Sequence, residues 1–386
     1  MKLGFCSVCL NPTSLSKRFG PGNRSLIDVK GDLVYKLFVL KKEGHKPYLN
    51  VSCPLADIDM VHYQAFKKQL IEELGEEVDL SMCATHTHYS VLINADDAYL
   101  SFAVKGIADA YRDLECKEYA DLRYDRIIEP FHEVGESRIT GIKANIYLET
   151  LCLYDGEKRI ATFITYNSHP TTLNFFEDYF SSVGPGLLQK KLEAANPGEF
   201  FSYFIGAAGD VSTRFARKNQ EYGEVERLTD VVFDAVTRQL NEKRTPEKVE
   251  DIRFEELWLD VERKYLDISA LKLPEDASPR EKETIAQAGE HKDREIKEED
   301  LPKQVLFQRL SINDFSYIFT PFEMFSEYLD YVDLKHGIIV NCANDHVCYL
   351  SGLKNKYLSF ELFGESIAYD SKVEITILLE RWSGKK

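Results

Sequence analysis

The hydrophobic pattern of this chain keeps switching period. Apolar runs of strand length stand at Leu33–Lys41, Tyr48–Cys53, Val78–Thr85, Phe200–Ile205, Val305–Leu310, Tyr317–Thr320 and Ile338–Cys342. Between them lie segments whose apolar residues recur every three to four positions. Leu100, Val104, Ile107, Ala108, Tyr111 and Leu114 make one helical stripe; Val225, Leu228, Val231, Val232, Ala235 and Val236 make another. Further helices are expected over Val61–Leu74, over Pro185–Ala195 ahead of Asn196-Pro197-Gly198, and near Val373–Arg381. Met1–Leu10 and Leu257–Val261 read as strands. Asn145–Tyr154 and Ile160–Tyr166 read as a hairpin turned at Asp155-Gly156. Strands and helices alternating along one chain predict an α/β fold, and residues 1–386 show no repeat, linker or composition break that would divide it.

Charge narrows the functional classes. Lys and Arg number 48 and Asp and Glu 64, a net charge of −16. Such a surface argues against nucleic acid and anionic membranes as partners. No apolar run approaches the roughly 18 residues of a membrane span. Met1–Leu10 is soon interrupted by Asn11-Pro12 and is too short for a secretion signal, so a cytoplasmic protein is expected. The eight cysteines then read as reduced and mostly buried. Cys6-x-x-Cys9 lacks the second pair that a zinc ribbon needs. The stretch Pro274–Lys303 is dominated by Glu, Lys, Arg and Asp, and predicts a charged helical insertion around 270–303.

Four apolar strands run into polar or small-residue turns, the places where α/β folds build sites. The first ends in Thr85-His86-Thr87-His88. Two histidines at i and i+2 on extended chain share a side, which is a zinc half-site or merely two polar loop residues. The second ends in Asn167-Ser168-His169-Pro170, where Pro170 biases His169 to an extended conformation. The third ends in Gly206-Ala207-Ala208-Gly209-Asp210-Val211-Ser212, whose small residues admit a ligand or simply a tight turn. The fourth, Thr320-Pro321-Phe322-Glu323, carries a carboxylate that is either a ligand or a surface cap.

In this order the four segments, together with Ala343-Asn344-Asp345-His346-Val347-Cys348-Tyr349, resemble the catalytic zinc-amidase domain of the neutral ceramidase family, over about residues 85–350. The resemblance implies a single sandwich-like mixed α/β catalytic domain, here lacking the immunoglobulin-like domain of the family. It implies a Zn²⁺ ion held by His86, His169, Glu323 and Tyr349. His88 would face the substrate carbonyl and Ser212 would lie beside the scissile bond, with Asp210, Tyr89 and Gly209 on the substrate side. Two imidazoles, a carboxylate and a phenolate suit a catalytic zinc, and an unligated histidine can carry a proton to the leaving amine.

The departures concern the substrate side. Tyr89-Ser90 replaces the usual Ser-Gly, and Phe322 replaces the glycine before the glutamate. The family's Asn-Arg pair has only Lys143 or Asn145 near its place, and His346 is an extra potential ligand. The expected activity is zinc-dependent hydrolysis of a linear amide in a small-molecule or lipid-like N-acyl substrate other than membrane ceramide. A ceramidase-like protein that binds a ligand or partner without turnover, or a metal-dependent esterase or phosphoesterase, would show the same motifs.

Overall fold

The structure, a computed structural model, describes residues 1–20, 24–139, 143–174, 176–263, 303–354 and 359–385, with isolated positions between 264 and 302. Apart from those positions, the charged insertion expected over 270–303 lies outside the described residues.

Three sheets carry the mixed α/β fold. The first orders Lys2–Cys9, Val34–Lys41, Tyr48–Cys53 and Asp79–Ala84. Its last two strands are parallel, joined through the helix Met60–Leu74. That helix starts where Asp59 accepts the His62 N–H and stops at Gly75, whose φ of 69° suits glycine. The second sheet orders Phe200–Ile205, Lys158–Tyr166, Tyr147–Asp155, Leu122–Pro130 and Glu247–Lys248. Lys158–Tyr166 and Phe200–Ile205 are parallel and joined across the helix Val183–Ala195. The third orders Ile252–Asp260, Gln304–Ile312, Phe315–Phe319 and Gly337–Val340, again with a parallel final pair.

The central strands are buried on both faces. Along Val34–Lys41, Tyr35, Leu37 and Val39 enter a core shared with helices Met60–Leu74 and Asp97–Asp113, while Phe38 and Leu40 enter a second core. All three sheets meet in that second core. The Phe38 ring lies 5.6 Å from Phe163, Phe163 stacks on Phe204 at 6.0 Å, and Phe204 meets Tyr317 edge-on at 5.5 Å. On the far face of the third sheet, Ile318 and Ile339 pack with Ile375 and Leu379 of the helix Tyr369–Ser383.

Backbone hydrogen bonds stitch the sheets together at the carboxyl ends of their parallel strands. Ala84 N–H donates to Cys342 O (3.0 Å), Asn344 N–H to Met82 O (2.8 Å) and Asn341 N–H to Ile205 O (2.8 Å). Ser52 Oγ donates to Tyr203 O (2.7 Å). Three strand ends from three sheets are thereby held within reach of one another.

The expected hairpin is Tyr147–Asp155 with Lys158–Tyr166, its turn carrying Gly156 at φ 61°. The strand Leu122–Pro130 was not expected, because its charges hide the alternation. Those charges are answered across the fold: Arg126 pairs with the buried Glu149, and Asp125 with Arg244.

Candidate metal centre

Beyond Asp79–Ala84 the chain still follows its neighbour, Thr85 N–H donating to Cys53 O (2.8 Å) and Thr87 N–H to Leu55 O (3.1 Å), but it is not extended throughout as the sequence reading expected. His86, between them, has φ 60°, a left-handed conformation that costs a non-glycine residue about 1 kcal/mol or more. Cys342, Asn344 and Cys348 share it, at φ 53°, 64° and 68°. Four of the six non-glycine residues with positive φ among the described residues thus flank one place. Backbone strain of that kind clusters at functional sites.

The place is a cluster of imidazoles around one carboxylate. His169 Nε2 lies 2.7 Å from Glu323 Oε2, and His86 Nε2 lies 3.2 Å from the same oxygen. His88 Nε2 is 3.3 Å from His86 Nε2. The ligand atoms of His86, His88 and His169 all fall within 4.8 Å of one another, so this trio can hold a metal ion. On the other side of the carboxylate, His346 Nε2 stands 2.8 Å from Oε1. Glu323 and the first two histidines are buried.

Hydrogen bonds fix which nitrogen faces inward. His86 Nδ1 is 2.7 Å from Ala56 O, and His169 Nδ1 is 2.7 Å from Ala208 O and 3.1 Å from Val211 O. A carbonyl only accepts, so Nδ1 carries the proton and Nε2 presents a lone pair. Backbone acceptors behind a ligating histidine are the usual arrangement at metal sites.

The electrostatics run the same way. Burial and the Arg138 charge hold His169 down to about 3, and burial with the neighbouring imidazoles holds His88 well below its ordinary value. Burial alone would raise the Glu323 carboxyl, but the imidazoles that meet its oxygens, His86 first and then His169 and His346, hold it well below the carboxylate range. The neutral imidazole lone pair of His169 therefore faces an ionised carboxylate at hydrogen-bonding distance. Acceptor against acceptor calls for a cation between them, and nitrogen with oxygen donors fits zinc or another borderline divalent ion.

The remaining expected residues stand around this cluster. Glu323 pairs with Tyr349 in a short parallel ladder, with Glu323 N–H donating to Cys348 O at 2.9 Å. The Tyr349 ring stacks 6.5 Å from that of His169. Its hydroxyl accepts from Arg138 Nη1 at 3.3 Å, and burial pushes that phenol well above its ordinary value. Ser212 bridges His169 through the backbone, and its Oγ accepts the Arg214 N–H at 3.2 Å. Asp210 turns its carboxylate to Ser326, accepting from N–H (2.6 Å) and Oγ (2.9 Å). Gly209 N–H donates to Met324 O (2.8 Å). Tyr89 is buried, with Arg18 Cζ 4.8 Å above its ring and Tyr179 6.0 Å away.

Sequence reading missed Arg138. It is buried between the Tyr349 hydroxyl and Glu361 Oε1, 3.3 Å from each, and its N–H donates to Asp210 O (2.6 Å). The signal was an arginine between the two histidine motifs, but its neighbours in sequence gave no hint of Glu361 or Tyr349.

A small cavity lies beside the His169 segment. Ser168, Pro170 and Thr172 line it together with Tyr166, Leu188 and Val232.

No family model matches the chain, and no curated protein matches it in sequence. Solved structures do. A ceramidase complexed with C2 superposes over 99% of this chain and 74% of its own, with a TM-score of 0.73 at 12% identity. The neutral ceramidase from Pseudomonas aeruginosa superposes over the same shares, with a TM-score of 0.74 at 13% identity. At such identity the likeness is one of fold.

Proposed function

We propose that this chain, which has the fold of the neutral ceramidases, is a zinc-dependent hydrolase that cleaves a linear N-acyl amide bond. The observation that carries the reading is the convergence of His86, His88 and His169 with the Glu323 carboxylate, each of His86 and His169 braced at Nδ1 by a backbone carbonyl. His86, His169 and Glu323 would hold the ion, with Tyr349 as the fourth donor. Bound zinc supplies Lewis acidity, which polarises a carbonyl and brings the pKa of water to about 7.

The protein's own residues provide the rest. His88 is neutral and its Nε2 sits at the edge of the cluster, so it can take a proton at that atom and deliver it to the leaving amine. Arg138 donates to the Tyr349 oxygen and lowers the cost of negative charge there. Ser212, in register with His169, would lie beside the scissile bond, with Tyr89, Gly209 and Asp210 on the substrate side. The substrate is an N-acyl amide other than membrane ceramide: a net charge of −16 opposes approach to anionic lipid. Among the described residues no helix is long and apolar enough to cross a membrane. Eight free thiols accord with a reducing cytoplasmic setting.

The test is zinc content and amidase activity on an N-acyl panel, with His86→Ala and His169→Ala as controls. Stoichiometric zinc and turnover, both lost in the two variants, is the expected result; a wild type without metal sinks the reading. Metal held without turnover of any acyl compound would leave a ligand-binding protein. The 3.3 Å approach of His88 to His86 favours one second reading, in which His88 is itself a ligand. His88→Ala separates the two: retained zinc with lost turnover marks a proton carrier, and lost zinc marks a ligand.

A further inference from the structure

Glu323 is engaged on both carboxylate oxygens, and only one of them faces the three-histidine cluster. The other, Oε1, meets His346 Nε2 at 2.8 Å. The His346 ring is itself held from behind. Asp57 Oδ2 stands 3.7 Å from Nδ1, and Asn94 Nδ2 donates to Asp57 Oδ1 at 2.6 Å. The His346 N–H donates to Asp345 Oδ1 at 2.8 Å, an oxygen that also takes the Met60 N–H at 2.8 Å. The start of the helix Met60–Leu74 thus anchors the loop that carries the ring.

His346 meets the carboxylate at Oε1, outside the trio whose ligand atoms lie within 4.8 Å of one another. Its ring centroid is 6.4 Å from that of His86, whereas His169 lies 4.6 Å from His86. Asp57 sits on the Nδ1 side of the ring and Glu323 on the Nε2 side. The arrangement is a chain, Asp57 to His346 to Glu323, with its end at the cluster.

We propose that His346 is a positioning residue that acts on the bound metal through Glu323. This rests on the metal reading given above. A donor fixed at Oε1 stops the carboxylate from rotating and leaves Oε2 alone to face His86 and His169. The carboxylate would then offer a bound ion a single oxygen of set direction rather than a two-oxygen grip. Asp57, 3.7 Å from Nδ1, is outside hydrogen-bond reach and faces that side of the ring as a charge, a weaker constraint than the Nε2 contact with Oε1. Partners of this kind, one step removed from the ion, typically change metal affinity by roughly 10–100-fold when removed.

The experiment is zinc affinity by chelator competition on the full chain, for wild type, His346→Phe and His346→Gln, with thermal unfolding of each metal-free form. The expected result is affinity weakened about 10–100-fold in His346→Phe, with most of it regained in His346→Gln, whose amide N–H can reach Oε1. Asp57→Asn should weaken affinity less than His346→Phe. Should the Phe variant fail to fold, His346→Asn, too short to reach Oε1, takes its place. Equal affinity in wild type and His346→Phe overturns this inference while leaving the metal reading intact. So does a His346→Gln variant as weak as His346→Phe. A wild type that binds no zinc overturns the metal reading, and this one with it.

Discussion

A Cβ placed on Gly209 would lie 2.3 Å from the carbonyl oxygen of Glu323 and 2.9 Å from the Phe325 ring. The two backbones pass in direct contact, and the Gly209 N–H donates to the next carbonyl, Met324 O. Glycine is needed there for space, because the carboxylate residue is pressed against the turn that also carries the acceptors of His169 Nδ1. Gly209→Ala should push the Glu323 strand away. We expect a loss of about 1–3 kcal/mol in chemical denaturation, the usual scale of overpacking, and a reduced zinc content in the purified variant. Unchanged zinc content would show that the contact does not set the carboxylate.

Arg138 and Glu361 form a buried pair, and the arginine also serves the Tyr349 hydroxyl. Removing one member of such a pair leaves an uncompensated buried charge, typically worth about 3–5 kcal/mol. Arg138→Met should therefore destabilise the protein on that scale, and adding Glu361→Gln should recover part of the loss. A double-mutant cycle by urea unfolding reads the coupling, and additive losses would argue against the pair.

Asp210 gives a pH signature. Burial pushes its carboxyl up to about 6, against the hydrogen bonds from Ser326 that favour the ionised form. The unfolded chain ionises near the ordinary value of about 4. A raised carboxyl holds its proton more tightly in the folded state, so its contribution is complete below about pH 4 and is lost as pH rises through about 6. Wild type should therefore gain on Asp210→Asn by on the order of 2 kcal/mol between pH 7.5 and pH 4.5. Parallel stability curves for the two proteins over that range would contradict the assignment.

Metal removal should be visible without any substrate. An ion that binds only the folded state stabilises by mass action, about 2.7 kcal/mol at a free concentration 100 times Kd. Chelation should lower the thermal midpoint of wild type and leave that of His169→Ala unmoved. An equal shift in both would place the ion elsewhere.

Much of this architecture was readable in sequence because burial writes itself as period. Phe200–Ile205 and Gly337–Val340 are buried along their whole length, so their apolar runs stand out. The histidines were readable because each follows such a run directly. The strand Leu122–Pro130 was not, since Arg126 and Asp125 find Glu149 and Arg244 only in the folded chain. Arg138 failed for the same reason: a buried guanidinium looks like a surface one until its carboxylate partner is in place. The direction of Asp210, toward Ser326, is likewise a matter of tertiary contact and leaves no local trace.

The stitching of three sheets at their strand ends has a bearing on synthesis. His86 and His169 leave the ribosome before Glu323 and before the segment at and just after the strand Gly337–Val340, which binds back to Ala84 and Ile205. A nascent chain therefore carries imidazoles with no carboxylate to face and no third sheet to hold them. On the metal reading, ion capture would wait for contacts of long sequence separation, the kind that form slowly. Fragments that stop short of residue 323 should then be unable to retain the metal, however well their first two sheets form.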